Sequence, residues 1–413
     1  MARVLFVVPP LHGHVNPTVA VGQALARRGH QVAWAGYRPF LEEVVPDPDA
    51  VLRVGDQVPG QLEDVQQRAL GLRGAAALKF FFEEFVVPLA DRMVPGVEEA
   101  VATFVPDVVV VDQQTVAGAV VARRRGLRWV TSATTSAELV DPFGVMPGLR
   151  QWADGLLQAL QRAHGIPAEE ATADAVRFSP HLVLAFTSRQ LVGPQHEFPA
   201  HWAFVGPAIG GRPGPPKPFA WPWPADGAGG QEVPPTVLVS LGTVSAEAGA
   251  RFFSVAAEAL AGSGLRGLLV APPALVPDPP PEVAVRARIP QPAVLPRVDA
   301  VVCHAGHNTV VEALAEGLPL VVAPIRDDQP VVAQQVVEAG AGVRVRFGRV
   351  GAAELRRAVR QVLEDPGHRQ AAHRLRDSFA AAGGAEAAAR RIEALVTTAP
   401  RRAVPAGAVG PER

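Results

Sequence analysis

The sequence predicts an α/β protein of two doubly wound parallel-sheet domains facing each other across a cleft. Apolar runs recur along the chain, each closing on a small or polar residue and each followed by a stretch able to form a helix, the pattern of buried parallel strands covered on both faces. Residues 206–235 are so rich in proline and glycine that no regular element can run through them, and they split the runs into two sets. At 413 residues, 48% of them apolar, the chain is long enough for two separate cores.

The strands read from the first set are Val4–Val8, Val108–Val111 and Leu182–Ala185, and those from the second are Val237–Ser240, Gly267–Ala271, Ala300–Cys303 and Leu320–Ala323. The first domain is therefore expected over residues 1–205 and the second over 236–383. Between them runs the 206–235 linker, where Phe219, Trp221 and Trp223 are able to pack on a domain surface. A closing helix over 384–397 and a frayed tail over 398–413 complete the chain. In open parallel sheets ligands bind beyond the carboxyl ends of the strands, so the chemistry is expected in the loops that follow them.

Behind the first strand stands "PPLHGHVNP", residues 9–17. Asn16 is a good N-cap and Pro17 a good first helical residue, which predicts a helix from Pro17 to about Arg28, stopped by Gly29. His12 and His14 then lie in the loop, either as solvated histidines or as groups able to take a proton from a hydroxyl. Asp112 closes another strand at the same sheet edge, as a helix cap or as the carboxylate that holds an imidazole in one tautomer. In the second domain Gly242 and Thr243 turn from strand toward helix, as anion-binding loops do. The run "VVCHAGHNTVVEAL" sets His304 before a helix opening near Asn308 and Thr309, whose free amides suit a pyrophosphate with no metal ion. Glu312, one turn on, suits vicinal hydroxyls, and Asp327, Asp328 and Gln329 suit the hydroxyls of a sugar or form a solvated charge cluster.

Composition excludes several classes. A net charge of −1 provides no basic face for nucleic acid. The single cysteine, Cys303, rules out a disulfide framework and suits a reducing cytoplasm. "RVLFVVPP" is too short for a signal peptide or a membrane span. No G-x-G-x-x-G follows the first strand, which argues against a dinucleotide-dependent oxidoreductase.

Taken together, "GHVNP", "VVVVDQ", "FVGPAIG", "SLGT" and the run from Arg288 to Gly342 resemble the GT-B glycosyltransferases of family 1, the UDP-glycosyltransferase superfamily, over the chain to about Val396. The last run resembles the bacterial antibiotic-type and macrolide enzymes, and also the zeaxanthin glucosyltransferases. The resemblance implies two Rossmann-like domains and an inverting transfer of sugar from a UDP- or dTDP-sugar, UDP-glucose favoured, to a hydroxyl of an apolar, polyketide-like aglycone. It implies His14 as the base and Asp112 as its orienting carboxylate. His304, Gly306, Asn308 and Thr309 correspond to the pyrophosphate site, with Thr243 added from the "SLGT" loop. Glu312 corresponds to the ribose contact, Asp328 and Gln329 to the sugar contacts, and Arg288, Ile289 and Gln291 to the base-binding segment. His307 stands where plant members have a tryptophan against the sugar, Arg288 where they stack one on uracil, and Ala305 where Gly or Cys is usual. No cofactor or metal ion is expected, and the closing helix is expected to return to the first domain. For the acceptor the expected pocket is His12, Phe81, Phe82, Phe85, Phe143, Met146 and Trp152, since "KFFFEEF" carries more aromatic residues than one buried helix face holds. A nucleotide-sugar epimerase of the same architecture and a catalytically silent auxiliary protein are the other readings.

Overall fold

Valine-rich runs with no polar interruption can be buried on both faces, and the chain uses them as the central strands of two all-parallel sheets. The computed structural model describes residues 1–54, 68, 72, 74–140, 146–210, 219–223, 233–242 and 249–397. The first sheet holds β1 (Arg3–Val7), β2 (Gln31–Gly36), β3 (Val51–Arg53), β4 (Val108–Asp112), β5 (Trp129–Ala133), β6 (Val183–Ala185) and β7 (Trp202–Phe204), in the order β3-β2-β1-β4-β5-β6-β7. The second holds β8 (Thr236–Ser240), β9 (Arg266–Val270), β10 (Val283–Arg286), β11 (Ala300–Cys303), β12 (Leu320–Val322) and β13 (Gly342–Arg344), in the order β10-β9-β8-β11-β12-β13. Each order reverses at one place, between β1 and β4 and between β8 and β11, and ligands of such sheets bind at that reversal.

Alternation along β1 shows why both faces need cover. Val4 and Phe6 join the core beneath helices His12–Arg27 and Gly384–Thr397, while Leu5 and Val7 join the one beneath Val87–Phe104, Val116–Arg124 and Pro147–Ala163. The second sheet is covered likewise by two cores. Cys303, the last residue of β11, is fully buried, and burial pushes its thiol up to about 12.

The first helix corrects the expectation from sequence. It begins at His12, not Pro17, because the amides of His14 and Val15 both bond back to the Leu11 carbonyl, at 2.9 and 3.1 Å. His12 and His14 are therefore first-turn residues rather than loop residues. Asn16 caps nothing, and Pro17 is buried inside the helix. Helix Gly384–Thr397 packs on His12–Arg27, burying Ala388, Ala389 and Ile392. Arg27 pairs with Glu386 at 2.8 Å, and Arg28 and His30 both meet Glu393. The hinge before it uses Gly383 and Gly384 at φ +88° and +57°, and the Gly384 amide donates to the Val205 carbonyl at 2.6 Å. Of the linker, Phe219, Trp221 and Trp223 are half-buried on the second domain, with the Arg297 guanidinium 4.1 Å over the Trp221 ring. Residues 211–218 and 224–232, and the tail 398–413, lie outside the described residues.

Candidate active site

Adjacent strands bring the first two groups together. β1 leads through Pro9 and Pro10 into the helix carrying His14, and β4 ends on Asp112 beside it. His14 Nδ1 lies 2.9 and 3.0 Å from the two Asp112 carboxylate oxygens. A carboxylate only accepts, so Nδ1 carries the proton and Nε2 is left as the basic atom. The Asp112 carboxylate also accepts from the Gln114 amide at 2.9 Å and from the Thr134 hydroxyl at 3.1 Å, while Thr134 Oγ1 lies 2.8 Å from His14 Nδ1. Burial alone would lower the imidazolium's pKa. The Asp112 charge and hydrogen bond, with the Asp328 and Glu138 carboxylates farther off, outweigh that, and His14 stands above its ordinary value.

Across the cleft, the turn after β11 is built around one ring. His304 lies between two glycines: a Cβ on Gly306 would stand 2.4 Å from its Nε2, and one on Gly242 2.8 Å from its Cε1. Ala305 between them takes a left-handed φ of +64°, a conformation that costs a non-glycine residue and that such sites retain. Burial, opposed by a backbone hydrogen bond with Ser240, holds His304 down at about 4, so the ring is neutral. Helix His307–Ala315 starts immediately after, with Asn308 and Thr309 in its first turn. Glu312, buried, accepts from Gln291 Nε2 at 2.7 Å, which joins two residues expected around the nucleoside. Arg288 is exposed in the loop after β10, and Ile289 packs on the core beside it.

Several expected donor groups touch the first domain directly. The Thr135 hydroxyl donates to Asp328 at 2.6 Å, and Asn308 Nδ2 donates to the Gly13 carbonyl at 2.7 Å. Burial raises the Asp328 carboxyl above its ordinary value, against the Thr135 hydrogen bond and the His14 charge, which lower it. Ser136 adds a hydroxyl bond to Gln335. His307, expected against the sugar, makes its hydrogen bonds to the first domain. It is buried, Nε2 donates to the Phe186 carbonyl at 3.3 Å and Nδ1 accepts from the Ser136 amide at 3.4 Å, so the first domain holds both ring nitrogens. Its pKa is likewise pushed down by burial to about 4. Gln329 spends its side-chain oxygen on the Ile325 and Arg326 amides at 2.9 and 3.1 Å, shaping its own loop. Asp327, at φ +56°, pairs with the Arg326 guanidinium at 3.4 Å. Thr134, Thr135, Ser136 and Glu138 were not singled out from sequence. The signal was "TSATTSAEL", a run of hydroxyl residues at the end of β5 that also reads as an ordinary turn. Burial, opposed by Arg177, holds the Glu138 carboxyl above its ordinary value beside His14 and Asp112.

Of the aromatic residues expected at the acceptor, Phe81, Phe82, Phe85 and Trp152 form one cluster. Phe81 meets Phe82 and Phe85, both at 5.7 Å between ring centres, and Phe82 meets Trp152 at 6.2 Å. Phe82 is buried, while Phe81, Phe85, Met146 and Trp152 are half-buried against the first core. Phe81–Val86 winds as a π-helical turn, a form that recurs at functional sites. His12 is exposed, with its ring 4.8 Å from that of Phe40. Phe143 and Thr243 lie outside the described residues. Among the described residues no cluster of three or more His, Cys, Asp or Glu side chains is arranged to hold a metal ion, and no helix is long and apolar enough to cross a membrane.

Residues 273–395 match the family model of the erythromycin biosynthesis protein CIII-like C-terminal domain. The chain is 31% identical to the 4'-demethylrebeccamycin synthase of Lentzea aerocolonigenes, over 96% of its own length and 100% of that protein. It is 30% identical to the demethyllactenocin mycarosyltransferase of Streptomyces fradiae, over 97% of its length and 87% of the relative. Among solved structures, the glycotransferase of kitacinnamycin superposes with a TM-score of 0.75 at 24% identity, covering 96% of this chain and 99% of that one. VinC, solved in complex with dTDP, superposes at 0.70 and 20% identity, covering 96% and 100%.

Proposed function

The chain belongs to the GT-B glycosyltransferases of antibiotic and natural-product pathways, and from that premise we propose that it transfers a sugar, with inversion, from a nucleoside-diphosphate sugar to a hydroxyl of an apolar small molecule. The epimerase and the silent auxiliary protein fall away with that membership. His14 Nε2 takes the acceptor hydroxyl's proton. The acceptor oxygen attacks the anomeric carbon from the face opposite the leaving group, and the bond to the diphosphate breaks with its electron pair. The transition state has oxocarbenium character, as in glycoside hydrolysis. Asp112 holds the ring in the Nδ1–H tautomer and stabilises the imidazolium that forms. Neutral His304 and the amides at the start of helix His307–Ala315 take the charge of the departing diphosphate. Asp328 and the Gln329 amide hold the sugar, Glu312 the ribose, and the Phe81–Trp152 cluster borders the acceptor.

The observation that carries this reading is the His14–Asp112 contact at 2.9 Å, set opposite the glycine-flanked His304 turn. The donor is a UDP- or dTDP-sugar. UDP-glucose is the first to assay, and VinC's dTDP makes the thymidine series the second. The scheme routes no step through a metal ion, so a chelator is expected to leave the rate unchanged. His14→Ala is expected to lower turnover by about 10² to 10⁴, the range of general-base catalysis, while nucleoside-diphosphate affinity stays within about twofold. Turnover at the wild-type rate in His14→Ala would overturn the assignment. Mass detection of the glycosylated product identifies donor and acceptor together.

A further inference from the structure

The reaction above uses His14 of "GHVNP" but leaves its proline without a part. Pro17 is the sixth residue of a helix that starts at His12. Lacking an N–H, it cannot donate to the Gly13 carbonyl, the bond residue 17 would otherwise close. That carbonyl accepts instead from the opposite domain, through Asn308 Nδ2 at 2.7 Å. The lack of a side chain at Gly13 leaves room for this approach, since a Cβ there would stand 2.8 Å from the same Nδ2 and the Asn308 amide would have to shift. We propose that Pro17 and Gly13 are positioning residues: by keeping one carbonyl beside the base unpaired within its own helix and open to Asn308, they fix the donor loop in register with His14. The proposal rests on the reading of His14 as the base and of helix His307–Ala315 as the donor site. Asn308 serves both sides at once, because one amide hydrogen reaches Gly13 while its other hydrogen and its backbone N–H stay available to the diphosphate.

Pro17→Ala restores an N–H that closes on Gly13 within the helix and competes with Asn308. The variant is expected to melt no lower than wild type and to bind nucleoside diphosphate within about twofold. Its kcat is expected to fall about tenfold, the worth of one well-made hydrogen bond. In an Asn308→Ala background, followed in single turnover, Pro17→Ala is expected to change the rate by less than about twofold. A wild-type kcat in Pro17→Ala, or the same loss in both backgrounds, overturns the proposal. Gly13→Ala, which crowds Asn308 from the other side, is carried through the same cycle and decides the matter if Pro17→Ala does not fold. His14→Ala run in parallel separates the two readings: should it keep full turnover, the base assignment falls, while the Pro17–Asn308 coupling is still read from the cycle.

Discussion

Two influences of opposite sign act on His14. Burial opposes its charge, the Asp112 carboxylate favours it, and the carboxylate prevails. A histidine raised in the folded state contributes stability that is fully present below its unfolded value of about 6.5 and is lost as pH rises through the folded value. The neutral base appears over the same interval. The acid limb of kcat/KM is therefore expected above about pH 6.5, in the window where the folded state gives up that stability. Asp112→Asn removes the main raising charge, so its limb is expected at lower pH with a lower plateau; pH–rate profiles of the two enzymes check this, and an unmoved limb would assign the ionisation elsewhere. At the other end of the site, Gly306→Ala places a methyl where the His304 ring now lies. Calorimetry is expected to show nucleoside-diphosphate affinity reduced by about tenfold or more, one lost charge-assisted hydrogen bond, with the thermal transition retained.

The helix Gly384–Thr397 is the element that closes the first domain, and its hold is mainly apolar. Ile392 is fully buried against the helix that carries His14. Ile392→Ala is expected to cost about 2 to 5 kcal/mol, measured as a lowered denaturation midpoint, whereas breaking the exposed Arg27–Glu386 pair is expected to leave that midpoint nearly unmoved. Legibility in the sequence divides along the same physical line. The uninterrupted valine runs of β1, β4, β8 and β11 were readable because strands buried on both faces need no alternation. β2, opening on Gln31, and β7, three residues ending the sheet, lack that run and were not read. Pro17 misled the first helix start because local preference puts proline at a first helical position. The Gly13 carbonyl that Pro17 cannot satisfy accepts instead from Asn308, 295 positions from Gly13. The neighbourhood of His14 and Asp112 followed from strand-end placement, but Thr134 did not, since hydroxyl residues at a strand end also serve ordinary turns. The hydrogen bonds of His307 are not legible in the sequence for a third reason: its partners, Ser136 and Phe186, belong to the other domain.

At the scale of the molecule, the domains meet through apolar packing of Ala137 and Leu191 on the second core, through the buried His307 ring and through several polar side chains. Thr135 to Asp328, Ser136 to Gln335, Asn308 to Gly13 and Ser188 to Ser378 are all single hydrogen bonds. Contacts of this kind exchange readily with water, which suits a cleft that must admit two substrates and then shut. Thr135→Val removes the contact to Asp328, and small-angle scattering of the nucleotide-free enzyme is expected to give a larger radius of gyration than wild type, with Thr135→Ser restoring it. Cys303 makes such movement unusually easy to follow. It is the only cysteine in 413 residues, fully buried and with its thiolate strongly disfavoured, so thiol-directed dyes pass it by. Cysteines introduced at exposed positions such as Glu99 and Arg357, one on each domain, would be the sole reactive pair. Opening and closing then become a donor–acceptor distance read in solution, on a protein from which no native thiol has first to be removed.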